Sequence, residues 1–290
     1  MNALDREVAI SHMTADAEPL HAVSFSRNAP LWSRMASPLR PCDEDIELLV
    51  AMAAAPDHEA SRLLLGVTPE IADRFTPADG MLNAVDVSEE MIRSVWVGDT
   101  THRRAIIGNW LALPFATGSI DTVLADGILV LLPFPQGARR LAAELARVLR
   151  PGGHLAIRCF CRPPSAEALG DVLDAARSAT IGSFHAFKWR LAMALQGDDP
   201  SVGVAVSDVW RCFEEAFPDR EHLSRLTGWS GESISTIDVY RDNPARYAYP
   251  DEWAIAAAIS GSLEHTETYR GNYELSERCP VLGFRRPEPP

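Results

Sequence analysis

The sequence predicts an α/β protein in which short buried strands alternate with helices around a mostly parallel sheet. Short, continuous apolar runs recur between helical patterns, as expected for strands that are covered on both faces. Alternating strands and helices imply right-handed crossovers, which make neighbouring strands parallel. The first apolar run breaks at Gly66 and the second ends in Asp86. A glycine and an acid at two strand ends indicate a nucleoside site at one edge of the sheet.

The elements of this sheet follow in order from residue 41. Acidic residues at 43–45 begin an apolar helical pattern, and because acids in a first turn complement the helix dipole, they indicate a helix start rather than a metal site. Pro69 suits the first turn of a short helix, and Ser88 caps the next one. Strands are expected over 63–65, 81–85, 105–107, 120–125 and 154–160, with an amphipathic helix over 134–149.

The alternation of predicted strands and helices ends after Pro163-Pro164. Residues 163–230 are expected to form a helical insertion that covers the active site, with aromatic residues concentrated in it. Residues 231–290 are expected to complete the sheet, through a strand over 234–240, a helix near 253–259 and a last strand over 280–284.

Composition excludes several classes of protein. The chain has 290 residues, of which 47% are hydrophobic and 23% charged, as is ordinary for soluble globular proteins. Its formal net charge of -13 disfavours binding to nucleic acid, because phosphate backbones would be repelled. No apolar stretch reaches membrane-spanning length and no secretory signal is recognisable, so we expect no membrane association and a cytoplasmic location.

The cysteines indicate neither a metal site nor a disulfide framework. They are five in number and form no C-x-x-C pair. Cys159 and Cys161 are expected to share one strand as small buried apolar residues. We therefore expect no metal and a reducing compartment.

Five segments between residues 62 and 160 have the character of motifs. They are Leu64-Leu65-Gly66-Val67, Val85-Asp86-Val87-Ser88-Glu89-Glu90-Met91-Ile92, Gly108-Asn109-Trp110-Leu111-Ala112-Leu113-Pro114-Phe115, Ser119-Ile120-Asp121-Thr122-Val123 and Glu144-Leu145-Ala146-Arg147-Val148-Leu149-Arg150-Pro151-Gly152-Gly153. In order and spacing they resemble the motifs of class I S-adenosylmethionine-dependent methyltransferases. The resemblance implies a Rossmann-like, doubly wound, mostly parallel seven-stranded sheet with an antiparallel last strand. It also implies that 41–162 bind S-adenosyl-L-methionine, while 1–40 form an N-terminal extension or lid.

The resemblance also assigns roles to residues at the strand ends. Asp86 is expected to hold the ribose hydroxyls, although a turn or helix-cap aspartate is the alternative. Asn109 stands where the family has an aspartate at the adenine, and its amide can both accept and donate there. Val87, Met91 and Trp110 are expected to flank the adenine, although core packing accounts equally well for Trp110.

The first turn departs from the family pattern. Leu65, Gly66, Val67 and Thr68 are expected to contact the cofactor, but Thr68-Pro69-Glu70 replaces the usual glycines and Leu64 the usual aspartate. Thr68 is expected to meet the methionine carboxylate. Glu70 either pairs with the ammonium group or serves only as a first-turn dipole partner.

Two residues are candidates for proton transfer, should the acceptor need it. Asp126 lies where the methionine part and the methyl group are expected, so it is the first candidate catalytic residue and a further cofactor contact. His185, in the helical insertion, is the second, with a structural role as its alternative. Trp32 and Arg34 could close over the site as a lid, although a surface position is the simpler expectation for Arg34.

The sequence thus predicts a methyltransferase that uses S-adenosylmethionine and acts on a small organic molecule. A catalytically inactive cofactor-binding or interaction protein on the same fold is the alternative, because the first turn is degenerate. A nicotinamide-dependent oxidoreductase is less favoured, because G-x-G-x-x-G is absent. A small-molecule substrate is the expected partner, and a homodimer is compatible with the sequence.

Overall fold

Seven strands form one sheet in the computed structural model, which describes residues 26–52 and 60–288. The strands are β1 (Ser61–Leu65), β2 (Met81–Asp86), β3 (Arg103–Ile107), β4 (Ile120–Asp126), β5 (Leu149–Arg158), β8 (Glu264–Tyr269) and β9 (Val281–Arg285). Their order across the sheet is β3-β2-β1-β4-β5-β9-β8. Strands β1 to β5 are parallel, and β9 runs antiparallel to both of its neighbours. The predicted fold class is confirmed.

Helices connect and cover these strands. They are α1 (Asp43–Met52), α2 (Pro69–Ala72), α3 (Glu89–Val95), α4 (Gln136–Val148), α5 (Leu169–Arg177), α6 (Phe184–Gln196), α7 (Val206–Ala216), α8 (Arg220–Thr227), α9 (Gly231–Ser235) and α10 (Glu252–Ile259). Short 3-10 helices lie at Ser26–Arg34, Pro77–Asp79, Ile128–Leu131, Thr236–Tyr240 and Ser276–Arg278. Two short strands, β6 (Val204–Ala205) and β7 (Arg246–Tyr247), pair separately from the main sheet. The predicted domain boundaries stay a prediction.

The predicted strand over 234–240 is wrong, because this segment is helical. Ser230 begins α9 by accepting a hydrogen bond from the Ser233 amide at 3.1 Å. Ile234, Ile237 and Tyr240 are buried. Their spacing of three residues is that of a 3-10 helix, and β-branched residues within it gave the misleading strand pattern.

Strand β8 has no counterpart among the predicted elements. Its sequence, EHTETY, is polar and almost wholly exposed, because it is the edge strand beyond β9. An exposed edge strand leaves no apolar pattern to recognise, and charged residues there discourage pairing with other chains. Strand β5 also begins at Leu149, earlier than the predicted residue 154.

Both faces of the sheet are buried. In β1, Leu63 and Leu65 pack into one cluster and Leu64 into the other. All three side chains are inaccessible to solvent. Because side chains alternate across a strand, an unbroken apolar run is what a doubly covered sheet requires.

A buried guanidinium joins the ends of two central strands to α1. Arg158, at the end of β5, donates from Nε to Asp126 Oδ1 at 2.5 Å and from Nη1 to Asp45 Oδ2 at 2.8 Å. The Tyr273 hydroxyl donates to Asp45 Oδ1 at 2.8 Å. The side chains of Arg158 and Asp45 have no solvent exposure. We call Asp45, Asp126, Arg158 and Tyr273 the Arg158 network.

Replacing Arg158 is expected to destabilise the fold severely. Arg158→Met leaves the Asp45 and Asp126 carboxylates buried without their cation, which should lower the free energy of unfolding by about 3–5 kcal/mol. Arg150→Met is the matched control, because Arg150 pairs with Asp121 but its side chain is 48% exposed, and it should cost less than about 1 kcal/mol. Urea unfolding of both variants measures the difference. Equal losses would show that the Arg158 network contributes no more than a surface ion pair.

Candidate functional site

A cavity lies at the carboxyl ends of β1, β2 and β4. This is the edge at which open α/β sheets bind ligands. Its wall contains all of the residues predicted to contact a cofactor apart from Val87 and Asn109, namely Leu65, Gly66, Val67, Thr68, Asp86, Met91, Trp110 and Asp126. These predicted residues span positions 65 to 126 of the sequence. They therefore surround one space although they are far apart along the chain.

The Val85 carbonyl holds the tips of three segments together. It accepts hydrogen bonds from the Gly66 amide at 2.8 Å and from Trp110 Nε1 at 2.7 Å. Gly66 has φ of +92°, and a Cβ built on it would meet no atom within 4 Å. The positive φ favours glycine, and the open space lets a ligand approach the backbone closely. The hydrogen bond to the Val85 carbonyl fixes the indole of Trp110 in the wall. The position is compatible both with contact to an adenine ring and with a purely structural role in the core.

Asp86 is a buried carboxylate at the end of β2. Its residue is 7% exposed, and its Oδ1 accepts a hydrogen bond from the Ser88 amide at 2.8 Å. Burial raises the pKa of Asp86 to about 6, although hydrogen bonds from the Ser88 and Val87 amides oppose the rise. A carboxylate offers about four acceptor positions, so these amides leave capacity for donors on a ligand. Ser88 also caps α3, as predicted, by accepting from the Met91 amide at 3.1 Å.

Asn109 and Val87 lie outside the cavity wall. The Asn109 side-chain oxygen accepts a hydrogen bond from the Leu111 amide at 2.9 Å, which closes a local turn. The Gly108 amide donates to the Asp86 carbonyl at 3.0 Å, so the turn stays next to β2. The adenine contacts of Asn109 and Val87 stay predictions.

Asp126 lines the cavity and belongs to the Arg158 network. Burial raises the pKa of its carboxyl, and the Arg158 guanidinium opposes that rise. The pKa of Arg158 lies well above its usual range: burial lowers it, but Asp126 and Asp45 raise it more. A carboxylate held at 2.5 Å by a guanidinium is fixed in position for electrostatic work. Proton transfer by Asp126 stays a prediction.

His185 is buried in α6 and is absent from the cavity wall. Its Nε2 lies 3.2 Å from the Arg34 carbonyl. Burial, followed by the charge of Lys188, lowers the pKa of His185 to about 4. The imidazole is therefore neutral at physiological pH, and it joins α6 to the N-terminal segment. Its catalytic role stays a prediction.

The N-terminal segment closes the cavity on one side. Trp32, Met35 and Leu39 line the cavity. Arg40 holds the segment in place, donating to the Trp32 carbonyl at 3.0 Å and to the Met35 carbonyl at 3.3 Å. We call residues 26–40 the strap. Trp32 is thus placed as a lid residue would be, whereas Arg34 is exposed.

The Arg40 guanidinium also binds Glu70. It donates from both Nε and Nη2 to Glu70 Oε1, the first at 2.5 Å. Glu70 Oε2 is buried and has no hydrogen-bond partner among the residues that the structure describes. The predicted dipole role alone does not describe Glu70, since it fastens the strap to the turn that follows Gly66. Its second oxygen leaves the predicted contact with an ammonium group open.

The cavity is small while the strap lies over it. It encloses about 60 Å³, well below the roughly 300–1,000 Å³ of small-molecule sites. A nucleoside needs more room than this, which movement of the strap or of side chains in the wall would provide. The part of the wall that the sheet contributes would stay in place, because it is built from strand ends.

Sequence reasoning missed Asp45, Arg158 and Arg40. Arg158 had a recognisable signal, since it interrupts an apolar strand, and a charged residue buried in a strand needs a partner. Asp45 lies in the first turn of α1, where an acidic residue is expected because it complements the helix dipole. The sequence therefore gave no sign of its ion pair with the distant Arg158.

A family comparison decides the nature of this region. The sequence profile described as a methyltransferase domain matches residues 66–157. The match covers about a third of the chain, which is therefore similar to a methyltransferase domain over these residues. The match begins at Gly66 and includes Asp86, Trp110 and Asp126 of the cavity wall. It confirms the resemblance to class I S-adenosylmethionine-dependent methyltransferases that the sequence motifs predicted.

Solved structures share the fold of the methyltransferase domain. A protein from Rhodobacter sphaeroides described as a putative zinc-dependent alcohol dehydrogenase aligns with a TM-score of 0.62 at 11% identity, over 93% of this chain and 100% of that chain. A complex of the Haloferax volcanii Trm112 methyltransferase activator with a putative methyltransferase gives 0.50 at 14% identity, over 93% and 98%. N-methyltransferase NodS from Bradyrhizobium japonicum WM9, in complex with S-adenosyl-L-homocysteine, gives 0.48 at 15%, over 91% and 100%.

At these identities the structural comparisons show the fold alone. The search of curated proteins gives no match. In the parts of the chain that the structure describes, no helix has the length and apolar character to span a membrane.

The burial of Asp86 predicts a pH-dependent effect on stability. Because its folded-state pKa of about 6 lies above the ordinary 3.8, the folded protein binds this proton more tightly and loses stability as the pH rises through that interval. Asp86→Asn should therefore raise the free energy of unfolding by roughly 1–3 kcal/mol at pH 8 and change it little at pH 3.5. Guanidinium unfolding at both pH values measures this. Asp174→Asn, at a side chain that is 74% exposed, is the control, and a gain at pH 8 no larger than the control's would contradict the prediction.

Proposed function

We propose that this chain is an S-adenosylmethionine-dependent methyltransferase that acts on a small organic acceptor. The observation that carries the proposal is the joint placement of Gly66, Asp86 and Trp110 around one cavity, inside the region that matches a methyltransferase domain. The Val85 carbonyl fixes the glycine and the indole, and Asp86 is the next residue along β2. Glycine, carboxylate and indole are the groups that an adenosyl moiety needs on three sides.

The wall of the cavity fits the expected cofactor. Gly66 presents open backbone, and Asp86 retains acceptor capacity for the ribose hydroxyls. With both carboxylates ionised, the Arg158 network carries two negative charges and one positive charge. The net negative charge borders the cavity through Asp126, where it would stabilise the sulfonium and ammonium groups of S-adenosylmethionine.

The catalytic work left to the protein is alignment and exclusion of water. S-adenosylmethionine, when bound, supplies a methyl group that its sulfonium already activates. Holding two reactants in line is worth up to about 7–11 kcal/mol. The strap supplies the exclusion of water, because Trp32, Met35 and Leu39 cover the cavity. The Arg158 guanidinium fixes the orientation of the Asp126 carboxylate in the cavity wall.

The enclosed, apolar wall supports a small acceptor. Ile128, Val130, Leu131, Phe160 and Trp189 contribute apolar surface to the cavity wall. An enclosed space behind a strap suits a small molecule better than a polymer. The formal net charge of -13 also argues against a nucleic-acid acceptor.

A non-catalytic cofactor-binding protein is the second candidate. Thr68-Pro69-Glu70 replaces the glycines of the family's first turn, and Arg40 already occupies one oxygen of Glu70. A nicotinamide-dependent oxidoreductase is the third. The first turn lacks G-x-G-x-x-G, which weighs against it.

Calorimetric titration separates the two candidates that bind an adenosyl cofactor from the oxidoreductase. We expect the protein to bind both S-adenosylmethionine and S-adenosylhomocysteine, and to give no heat with NADH. Asp86→Ala should weaken both affinities by about 10- to 100-fold, because hydrogen bonds to a charged group are worth about 1.5–3 kcal/mol. Asp174→Asn is the control and should leave them unchanged.

Catalysis is tested by the release of S-adenosylhomocysteine from S-adenosylmethionine in the presence of a panel of small acceptors. Cofactor binding without turnover on any acceptor would favour the non-catalytic candidate. No binding of either adenosyl compound would overturn the proposed function.

A further inference from the structure

Lys188 is the only lysine in the sequence, and every other cationic side chain apart from histidine is arginine. It lies in α6, and its exposed fraction is 0%. Within the described residues no carboxylate forms an ion pair with it; its Nζ lies 3.4 Å from Thr236 Oγ1 and 5.1 Å from the centre of the Tyr240 ring. A buried ammonium group without a carboxylate is costly. The single lysine of the protein is therefore buried at a position where a bound anion would stabilise its charge.

Lys188 shares a face of α6 with two other polar side chains. His185, Lys188 and Trp189 are spaced i, i+3 and i+4, so they project from the same side of the helix. Trp189 belongs to the wall of the cofactor cavity. Its ring lies 4.9 Å from that of Phe160 and 5.3 Å from that of Tyr249. The face of α6 that carries Lys188 therefore adjoins the cavity through Trp189.

The segment 240–249 supplies the opposite side. Tyr247 ends β7 and Tyr249 follows two residues later, and both side chains are buried. The Tyr247 ring lies 6.0 Å from that of Tyr240, which is the ring beneath Lys188. The Ala248 amide donates to the Val130 carbonyl at 3.1 Å, and Val130 lines the cavity. Both sides of the group are thus tied to the cavity wall.

This group concentrates buried polar atoms that have no hydrogen-bond partner in the part of the chain that the structure describes. They are His185 Nδ1, Trp189 Nε1, Tyr247 Oη and Tyr249 Oη. Native proteins pair nearly all of their buried polar groups, so a cluster of exceptions needs an explanation. His185 Nδ1 is the acceptor of the neutral ring, because Nε2 donates to the Arg34 carbonyl, whereas the indole and the ammonium can only donate and the tyrosine hydroxyls can donate. The complementary ligand group is an anionic oxygen.

We propose that Lys188, Trp189, Tyr247 and Tyr249, here called the Lys188 cluster, bind the methyl acceptor through a carboxylate that the acceptor carries. That the ligand is the methyl acceptor rests on the proposed function. The Lys188 ammonium and the two tyrosine hydroxyls hold the carboxylate. Trp189 forms the boundary between this group and the cofactor cavity, which places the rest of the acceptor beside the methyl donor.

The ionisation of the cluster agrees with this role. Burial lowers the pKa of Lys188 to about 7. A carboxylate beside it would raise that pKa again and would supply the missing counter-charge. Burial also raises the pKa of Tyr247 and of Tyr249, so both hydroxyls keep their protons for donation.

A single lysine makes the test unambiguous. Protein grown with lysine labelled at 13Cε and 15Nζ gives one lysine side-chain signal, which belongs to Lys188. Protein loaded with S-adenosylhomocysteine is titrated with benzoate and acetate, and separately with the neutral benzamide and acetamide. We expect the carboxylates to shift the Lys188 signal saturably and the amides to leave it in place. No shift with either carboxylate, or an equal shift with the amides, would overturn the proposal.

Variants test the same site by calorimetry with benzoate. Lys188→Met should weaken benzoate binding at least tenfold, Tyr247→Phe should weaken it several-fold, and neither should change the affinity for S-adenosylhomocysteine by more than about twofold. Arg211→Met, which removes an arginine that is 62% exposed, should change neither affinity. Thermal melting confirms that each variant folds. Unchanged benzoate affinity in Lys188→Met would overturn the proposal.

The two proposals fail separately. If benzoate shifts the Lys188 signal but no adenosyl compound binds, the anion site stands and the methyltransferase assignment fails. If S-adenosylhomocysteine binds and the carboxylates do not, the methyltransferase assignment stands and the carboxylate site fails.

Discussion

The rest of the structure depends on one guanidinium placed where no water reaches it. Arg158 is held by Asp126 at the end of β4 and by Asp45 from α1, and Tyr273 completes the shell of Asp45. Such a group tolerates almost no displacement, because each charge is stable only beside the others. It therefore fixes the depth at which the strands end, and with it the floor of the cavity. The sheet, α1 and the segment before β9 share a single electrostatic anchor.

Asp86 and Lys188 are also buried, but in contrast to Arg158 they have no counter-ion among the described residues. Their neighbours are backbone amides, a hydroxyl and an aromatic ring. Burial shifts the pKa of each toward its neutral form. The contrast with Arg158 separates two uses of charge: a paired charge holds the fold, and an unpaired one is set aside for a ligand. Under the two proposals, Asp86 would accept hydrogen bonds from ribose hydroxyls and Lys188 would hold the carboxylate of the acceptor.

The sequence predicted most of the sheet and of the cavity wall, because both follow from local patterns. Leu63, Leu64 and Leu65 are recognisable as a doubly buried strand, and Gly66 and Asp86 stand at strand ends that parallel topology must bring together. The polar edge strand Glu264–Tyr269 carries no such pattern. The strap contacts of Arg40 and the carboxylates around Arg158 join segments that are distant in the sequence, and no local spacing encodes them. Lys188 was visible as a residue, but its isolation from carboxylates is a property of the packed insertion.

Glu70 can couple the binding of a ligand to the movement of the strap. One of its oxygens belongs to Arg40, and the other is buried and unclaimed. If that second oxygen takes the ammonium of a cofactor, a single carboxylate bridges the strap and the bound molecule. Each contact then strengthens the other to the same degree, as thermodynamic reciprocity requires. The time for which such a molecule stays bound would then depend on how often the strap lifts.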